Sequence, residues 1–284
     1  MLRLALPNKG RLADEARDLF EAAGLDLRGR GDRALTASLG GGYEAIFVRA
    51  QDIPEFVSDG AADAGLTGWD LVCESGRPLE SLLDLGLGRC RLVVAARDES
   101  GIAALTDVPD GARVATSFPS LTRSFFAAAG RPIEVVPVTG AAEIAPHLGI
   151  ADIVVDLTST GSTLRVNGLR EVATILESTG RLVRGPGALA DPRALDELVT
   201  ALASVLRARG LRYLMANVPN CALDRVKSVL PGLNGPTVTN ILNGGSFVAV
   251  HAVVPVAGLS RTIHDLKALG VEGILVTRIE RLLP

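Results

Sequence analysis

The run Asp156-Leu157-Thr158-Ser159-Thr160-Gly161-Ser162-Thr163 puts one carboxylate, five hydroxyls and a glycine into eight consecutive positions. It follows the apolar stretch Ile150–Asp156, which reads as a strand, and it leads into a helix start. Backbone N–H groups in such a loop, with the helix N-terminus behind them, make a site for a phosphate group. The hydroxyls would donate to phosphate oxygens, and Asp156 would accept from sugar hydroxyls or help hold a metal. The same Ser/Thr cluster would also open a helix for purely local reasons. No GxxxxGK[ST] pattern is present, so the loop is not a Walker loop.

A second group is Lys9-Gly10-Arg11, between an apolar run (Leu2–Leu6) and a helical pattern (Arg11–Ala23). Ligands of open α/β sheets bind at that edge, outside the carboxyl ends of the strands. Cations at a helix start oppose the helix dipole, and an anionic partner would relieve the conflict. Lys9 suits a phosphate as a point charge and Arg11 suits a two-point contact. A third group is Arg49, at the end of a strand, with Trp69 and Asp70 after the turn Thr67-Gly68. Arg49 would meet an anion or stack on a base. Asp70 has a simpler reading as a helix cap, and Trp69 reads either as a platform or as packing. Glu143 opens a helical segment and would complement its dipole. Gly40-Gly41-Gly42 reads as a hairpin. His147, His251 and His264 have no ligand spacing, so zinc and Ser-His-Asp chemistry find no support. Cys73, Cys90 and Cys221 are too few and too scattered for a disulfide framework or a CxxC metal site.

The elements that position these groups alternate. Strands are expected at 2–6, 43–49, 62–66, 91–96, 113–116, 133–138 and 150–156, with helices near 11–23, 54–60, 70–75, 120–129 and 194–210. The interval Gly180–Pro192 reads as turn-rich. From residue 212 the order becomes strand, helix, strand, strand, helix, strand, the ferredoxin-like β-α-β-β-α-β pattern. The expected architecture is α/β. Residues 1–90 with 181–210 are expected to form one α/β lobe, 91–180 a second that carries the hydroxyl loop, and 211–284 a compact module of regulatory type.

Composition agrees with this reading. The chain has 284 residues, 48% apolar and 21% charged, with a net charge of −3. Disorder is excluded by the apolar content. No apolar run approaches the ~18–20 residues of a membrane span. A weakly acidic chain offers no bulk field for a nucleic acid. With no basic leader followed by an apolar segment, a cytoplasmic location is expected.

Together the motifs resemble the long form of the ATP phosphoribosyltransferase family, which acts first in histidine biosynthesis. The matching runs are LPNKGRL (6–12), VRAQDIP (48–54), DAGLTGWDLV (63–72) and TGAAEIAPHLGIADIVVDLTSTGSTLRVNGL (139–169). They continue with YLMANVP (213–219), PGLNGPTV (231–238) and VAVHAVVP (248–255). The short form lacks the last three, so their presence selects the long form.

The resemblance implies a two-lobed, periplasmic-binding-protein-like core and a C-terminal ferredoxin-like (ACT-like) domain. It implies condensation of ATP with 5-phosphoribosyl 1-pyrophosphate (PRPP), giving N1-(5-phosphoribosyl)-ATP and pyrophosphate, with Mg2+. Lys9, Arg11 and Asp156 are then the catalytic candidates. Gly10, Glu143, Asp156, Thr158, Ser159, Thr160, Gly161, Ser162 and Thr163 are candidates for PRPP, and Arg49, Asp70 and Leu71 for the nucleotide. Leu233, Gly235 and Thr237 fall where the family's inhibitor, L-histidine, would bind, and assembly from dimers to hexamers is implied. Gly235 and Asn240 depart from the Ser and Pro more usual there. The competing reading is a non-catalytic two-lobed binding protein.

Overall fold

The computed structural model describes residues 1–27, 34–187, 189, 191–230, 232–233, 235–242 and 245–283. Of the sequence readings above, Ala188 and Ala190 of the turn-rich interval and Pro231 and Asn234 of PGLNGPTV lie outside the described residues. The chain forms two compact units, Met1–Val199 and Thr200–Pro284.

The first unit runs β1 (Leu2–Pro7), α1 (Arg11–Ala22), β2 (Thr36–Gly40), β3 (Tyr43–Val48), α2 (Ile53–Ser58), β4 (Ala64–Gly68) and α3 (Trp69–Ser75). Next come β5 (Glu80–Arg97), β6 (Ala112–Thr116), α4 (Pro119–Ala128), β7 (Ile133–Pro137), β8 (Ile153–Thr158), α5 (Ser162–Val166), β9 (Leu169–Arg184) and the start of α6 (Pro192–Ala208). Its strands form one nine-stranded sheet, in the order β2-β3-β1-β4-β9-β5-β8-β6-β7. The strands β3, β1 and β4 run parallel in one lobe, and β8, β6 and β7 run parallel in the other. Between them lies the long antiparallel ribbon β5–β9, with five register shifts. Lobe one joins the ribbon where β4 pairs with residues 180–184, and lobe two where β8 pairs with residues 91–96. Two parallel α/β lobes on opposite ends of a shared two-strand ribbon make the periplasmic-binding-protein-like architecture.

The ribbon corrects one sequence expectation. Gly180–Pro192 reads as turns, yet its first residues complete β9. Gly180 serves close approach here, because a Cβ there would lie 2.8 Å from Leu12 Cδ1 of α1. Lobe two is built on Leu92, Val94, Val114, Phe118, Phe126, Ile153 and Val155, all buried. Each such side chain contributes about 1.5–3 kcal/mol on burial.

In the second unit, β10 (Leu211–Pro219), α7 (Leu223–Val229), β11 (Thr237–Asn240), β12 (Phe247–Pro255), α8 (Leu259–Ala268) and β13 (Glu272–Arg278) follow one another. The sheet order β11-β12-β10-β13, with antiparallel pairing throughout, is that of a ferredoxin-like domain. Strict alternation along β10 and β12 buries Leu214, Ala216, Val218, Val250, Ala252 and Val254 against Val226 of α7 and Leu266 of α8. Among the described residues no helix is long and apolar enough to cross a membrane.

Candidate active site

Parallel pairing decides which groups meet. In lobe one the register Pro7↔Val48 brings the ends of β1 and β3 to the same sheet edge, so Lys9 and Arg49 both follow strands that end there. Parallel β4 ends at that edge, followed by Trp69 and Asp70. In lobe two, Thr116 pairs in parallel with Val155 and with Pro137, so Ser117, Val138 and the hydroxyl loop share the equivalent edge. A cleft of about 570 Å³ takes lining residues from both edges: Arg49, Leu71 and Glu74 from lobe one, and Ser117, Phe118 and Thr139 from lobe two. Of the candidate residues, Arg49 and Leu71 line it; Lys9, Arg11 and the hydroxyl loop lie outside its wall.

The loop is shaped by its own hydroxyls. Gly161 N–H donates to Thr158 Oγ1 at 2.8 Å, and Thr160 Oγ1 and Ser162 Oγ are 2.9 Å apart. Thr158 is buried and closes the turn, while Ser159, Thr160, Ser162 and Thr163 face solvent. Gly161 adopts φ +73°, in the left-handed region, and starts α5. Asp156 accepts its neighbour's N–H, Leu157, at 2.7 Å. Burial raises the Asp156 pKa above the usual carboxylate value, and the Glu143 charge raises it further. Glu143 lies in a 3-10 turn, Ala142–Ile144, entered through Ala141 at φ +50°.

The cationic group is arranged differently from the simple picture of free charges. Arg11 is largely exposed and pairs with Glu15, Nε to Oε1 at 2.6 Å. Glu15 Oε2 in turn accepts the Gly88 N–H of β5 at 2.7 Å. Lys9 is exposed beside it.

Asp70 is the main surprise. Its reading as a helix cap gives way to a buried contact: the cap position is Gly68, and Asp70 is only 4% exposed. The Asp70 carboxylate accepts the Ser178 hydroxyl at 2.5 Å, and Ser178 Oγ accepts the Asp70 N–H at 3.0 Å. Burial raises the Asp70 pKa, and the Ser178 hydrogen bond opposes the rise. Trp69 is half-buried beneath the Arg181 guanidinium, 4.3 Å from ring centroid to Cζ, so it serves packing.

Sequence reading missed Ser178, Glu74 and Glu171. Ser178 sits 108 residues from Asp70 on the ribbon, and only its ladder position could have exposed it. Glu74 Oε1 and Oε2 accept the N–H groups of Ser120 and Leu121 at 2.8 and 2.9 Å. A lobe-one residue thus satisfies the helix start of α4 in lobe two, which has no side-chain cap of its own. In the second unit, Leu233 and Gly235 lie in the α7–β11 connection, and Thr237 begins β11 opposite His251. The His251 Nδ1 and Tyr213 hydroxyl are 2.6 Å apart.

A family model described as ATP phosphoribosyltransferase matches residues 49–204, and one described as HisG, C-terminal domain, matches residues 208–281. A Gemmatimonas aurantiaca protein named ATP phosphoribosyltransferase is 68% identical, with all of both chains covered. The chain belongs to the ATP phosphoribosyltransferase family. A Halobacterium salinarum relative of the same name is 49% identical over 99% of both chains. An ATP phosphoribosyl transferase (HisG:HisZ) complex from Thermotoga maritima supplies a similar solved chain, with a TM-score of 0.63 and 28% identity. It covers 73% of this chain and 99% of its own. The match to the C-terminal domain marks the long form, and the chain is an enzyme of phosphoribosyl transfer to ATP in histidine biosynthesis.

Proposed function

We propose that PRPP docks on the β8–α5 loop and that ATP enters from the lobe-one edge, so that the two substrates meet at the facing strand ends. The observation that carries this reading is the loop itself: Gly161 in the left-handed conformation, Thr158 closing the turn, and four further hydroxyls turned to solvent. Ser159, Thr160, Ser162 and Thr163 would bind the 5-phosphate of PRPP with the loop N–H groups. Asp156 would accept from ribose hydroxyls. Adenine N1 is already nucleophilic, so no side-chain nucleophile is required. It attacks the anomeric carbon with inversion, pyrophosphate leaves, and the protein positions two anions and stabilises the departing charge.

Lys9, Gly10 and Arg11 take the pyrophosphate in this scheme. Arg11 exchanges its contact with Glu15 for pyrophosphate oxygens. Arg49 and Leu71 form the nucleotide wall, and Asp70 supports it from below by tying α3 to β9. Asp156 and Glu143 are two hard oxygen donors whose charges interact, a set suited to Mg2+, which binds through one or two carboxylates plus substrate phosphates. When bound, the ion would neutralise pyrophosphate charge.

Residues from about 211 serve as the regulatory domain in this reading. Leu233, Gly235 and Thr237 would contact the feedback inhibitor L-histidine, in an assembly of dimers built into hexamers in the cytoplasm. The deciding experiment follows phosphoribosyl-ATP formation from PRPP and ATP, with and without histidine. Asp156→Asn is expected to raise the PRPP requirement sharply with the fold intact; unchanged PRPP KM and kcat would overturn the loop assignment. A chain ending after Gly210 is expected to lose histidine inhibition, and retained sensitivity would move the inhibitor site into the lobes.

A further inference from the structure

Behind the hydroxyl loop lies an ion pair that the scheme above does not use. Arg91 of β5 holds Glu171 of β9 in a two-point contact, Nη2 to Oε1 at 3.0 Å and Nη1 to Oε2 at 2.8 Å. Their side chains are 35% and 30% exposed. The pair is tied to the loop twice. Arg91 stands opposite Thr158 in the β5–β8 ladder, so it sits where the loop departs. The Glu171 carboxylate presses on Gly161: a Cβ there would come within 2.8 Å of Glu171 Oε1 and 3.0 Å of Arg165 Nη1.

A carboxylate against the backbone of a phosphate loop is electrostatically adverse, since it would repel the phosphate the loop is to hold. We propose that Arg91 and Glu171 act as a positioning pair for PRPP. In it Glu171 forms the floor that holds the Gly161 turn, and Arg91 cancels the Glu171 charge that would otherwise oppose the 5-phosphate. This rests on the loop reading given above. The role is one of shape and charge cancellation, with neither residue touching substrate.

The two halves of the pair therefore have opposite electrostatic signs toward PRPP. Arg91→Met removes the guanidinium paired with the carboxylate, leaving Arg165 as the remaining cation near Gly161, and should raise the PRPP KM about two- to fivefold, the range of a partly exposed charge interaction. Glu171→Gln keeps the floor's shape, leaves Arg91 uncompensated and should lower the PRPP KM by about the same factor. The double variant Arg91→Met with Glu171→Gln should return toward the parent value. ATP KM and kcat should stay within about twofold throughout, because the interaction is with bound PRPP in ground and transition states alike.

A pair that merely held the fold together would shift both single variants in the same direction, since each leaves one charge uncompensated, and that result overturns the proposal. If Arg91→Met does not fold, Glu171→Gln decides alone: an unchanged or raised PRPP KM overturns it. The loop reading is tested separately by Thr160→Ala combined with Ser162→Ala. If those changes leave PRPP KM unaltered, the loop is not the phosphate site, whatever the pair does. If they raise it while the pair variants are silent, only the pair's role fails.

Discussion

The Asp70 carboxylate and the Ser178 hydroxyl form a buried hydrogen bond of 2.5 Å that fastens α3 to the ribbon strand β9. Ser178→Ala strips a buried carboxylate of its hydroxyl donor and leaves the Asp70 N–H without that acceptor. The expected cost is about 1–3 kcal/mol of folding stability, read from denaturant midpoints at constant m-value.

Asp70 also carries a pH signature. Burial holds its pKa above the ordinary 3.8, so between that value and the raised one the native chain binds more protons than the unfolded chain. Stability contributed by this group is therefore highest in acid, falls as pH rises through that window, and stays low above it. Asp70→Asn should remove this slope while keeping an acceptor for Ser178. Denaturation at a series of acidic pH values compares the two proteins, and identical profiles would show that Asp70 does not titrate in the window.

Glu74 links the lobes through the backbone of α4. Glu74→Ala leaves two N–H groups at a helix start without partners and should cost about 0.5–2 kcal/mol, the range for loss of a cap. Amide exchange at Ser120 and Leu121 should accelerate specifically. Unaltered exchange there would mean that water replaces the carboxylate without loss.

Lys9→Ala and Arg11→Ala should each cost about 1.5–3 kcal/mol of transition-state stabilisation, the scale of a hydrogen bond to a charged group. Initial rates of phosphoribosyl-ATP formation give kcat/KM directly. Since Arg11 is engaged by Glu15, Glu15→Gln should improve PRPP binding as well as loosen the Gly88 contact.

The three cysteines should alkylate in a fixed order. Cys221 is exposed, whereas burial and the Asp70 charge push the Cys73 thiol up and raise Cys90 to about 11. Iodoacetamide at mildly alkaline pH should therefore label Cys221 first and Cys90 last, because the thiolate is the reacting form. Mass spectrometry of timed samples tests the order.

Much of this was legible in the chain because local chemistry and tertiary structure agreed. The loop after Val155, the cations after β1 and the β-α-β-β-α-β tail are contiguous, so spacing alone exposes them. Asp70 shows the limit. Its place after a tight turn suggests a cap, and only the ladder that brings Ser178 alongside reveals a buried carboxylate. Glu74, Glu171 and Arg91 failed to register for the same reason: each acts on a segment distant in sequence. The end of β9 is hidden by Gly180, which signals a turn by default and here permits close packing against Leu12 of α1.

The ribbon has a consequence for how the chain is made. The β4 edge of lobe one is paired by residues 180–184, whereas the parallel strands of lobe two need nothing beyond β8. As the polypeptide leaves the ribosome, β1, β3 and β4 emerge first yet keep an open strand edge until more than a hundred further residues have followed. An unpaired parallel edge of buried apolar strands is a template for mispairing. The lobe synthesised first is thus the one completed last, and nascent chains arrested between β4 and β9 are the species most exposed to aggregation.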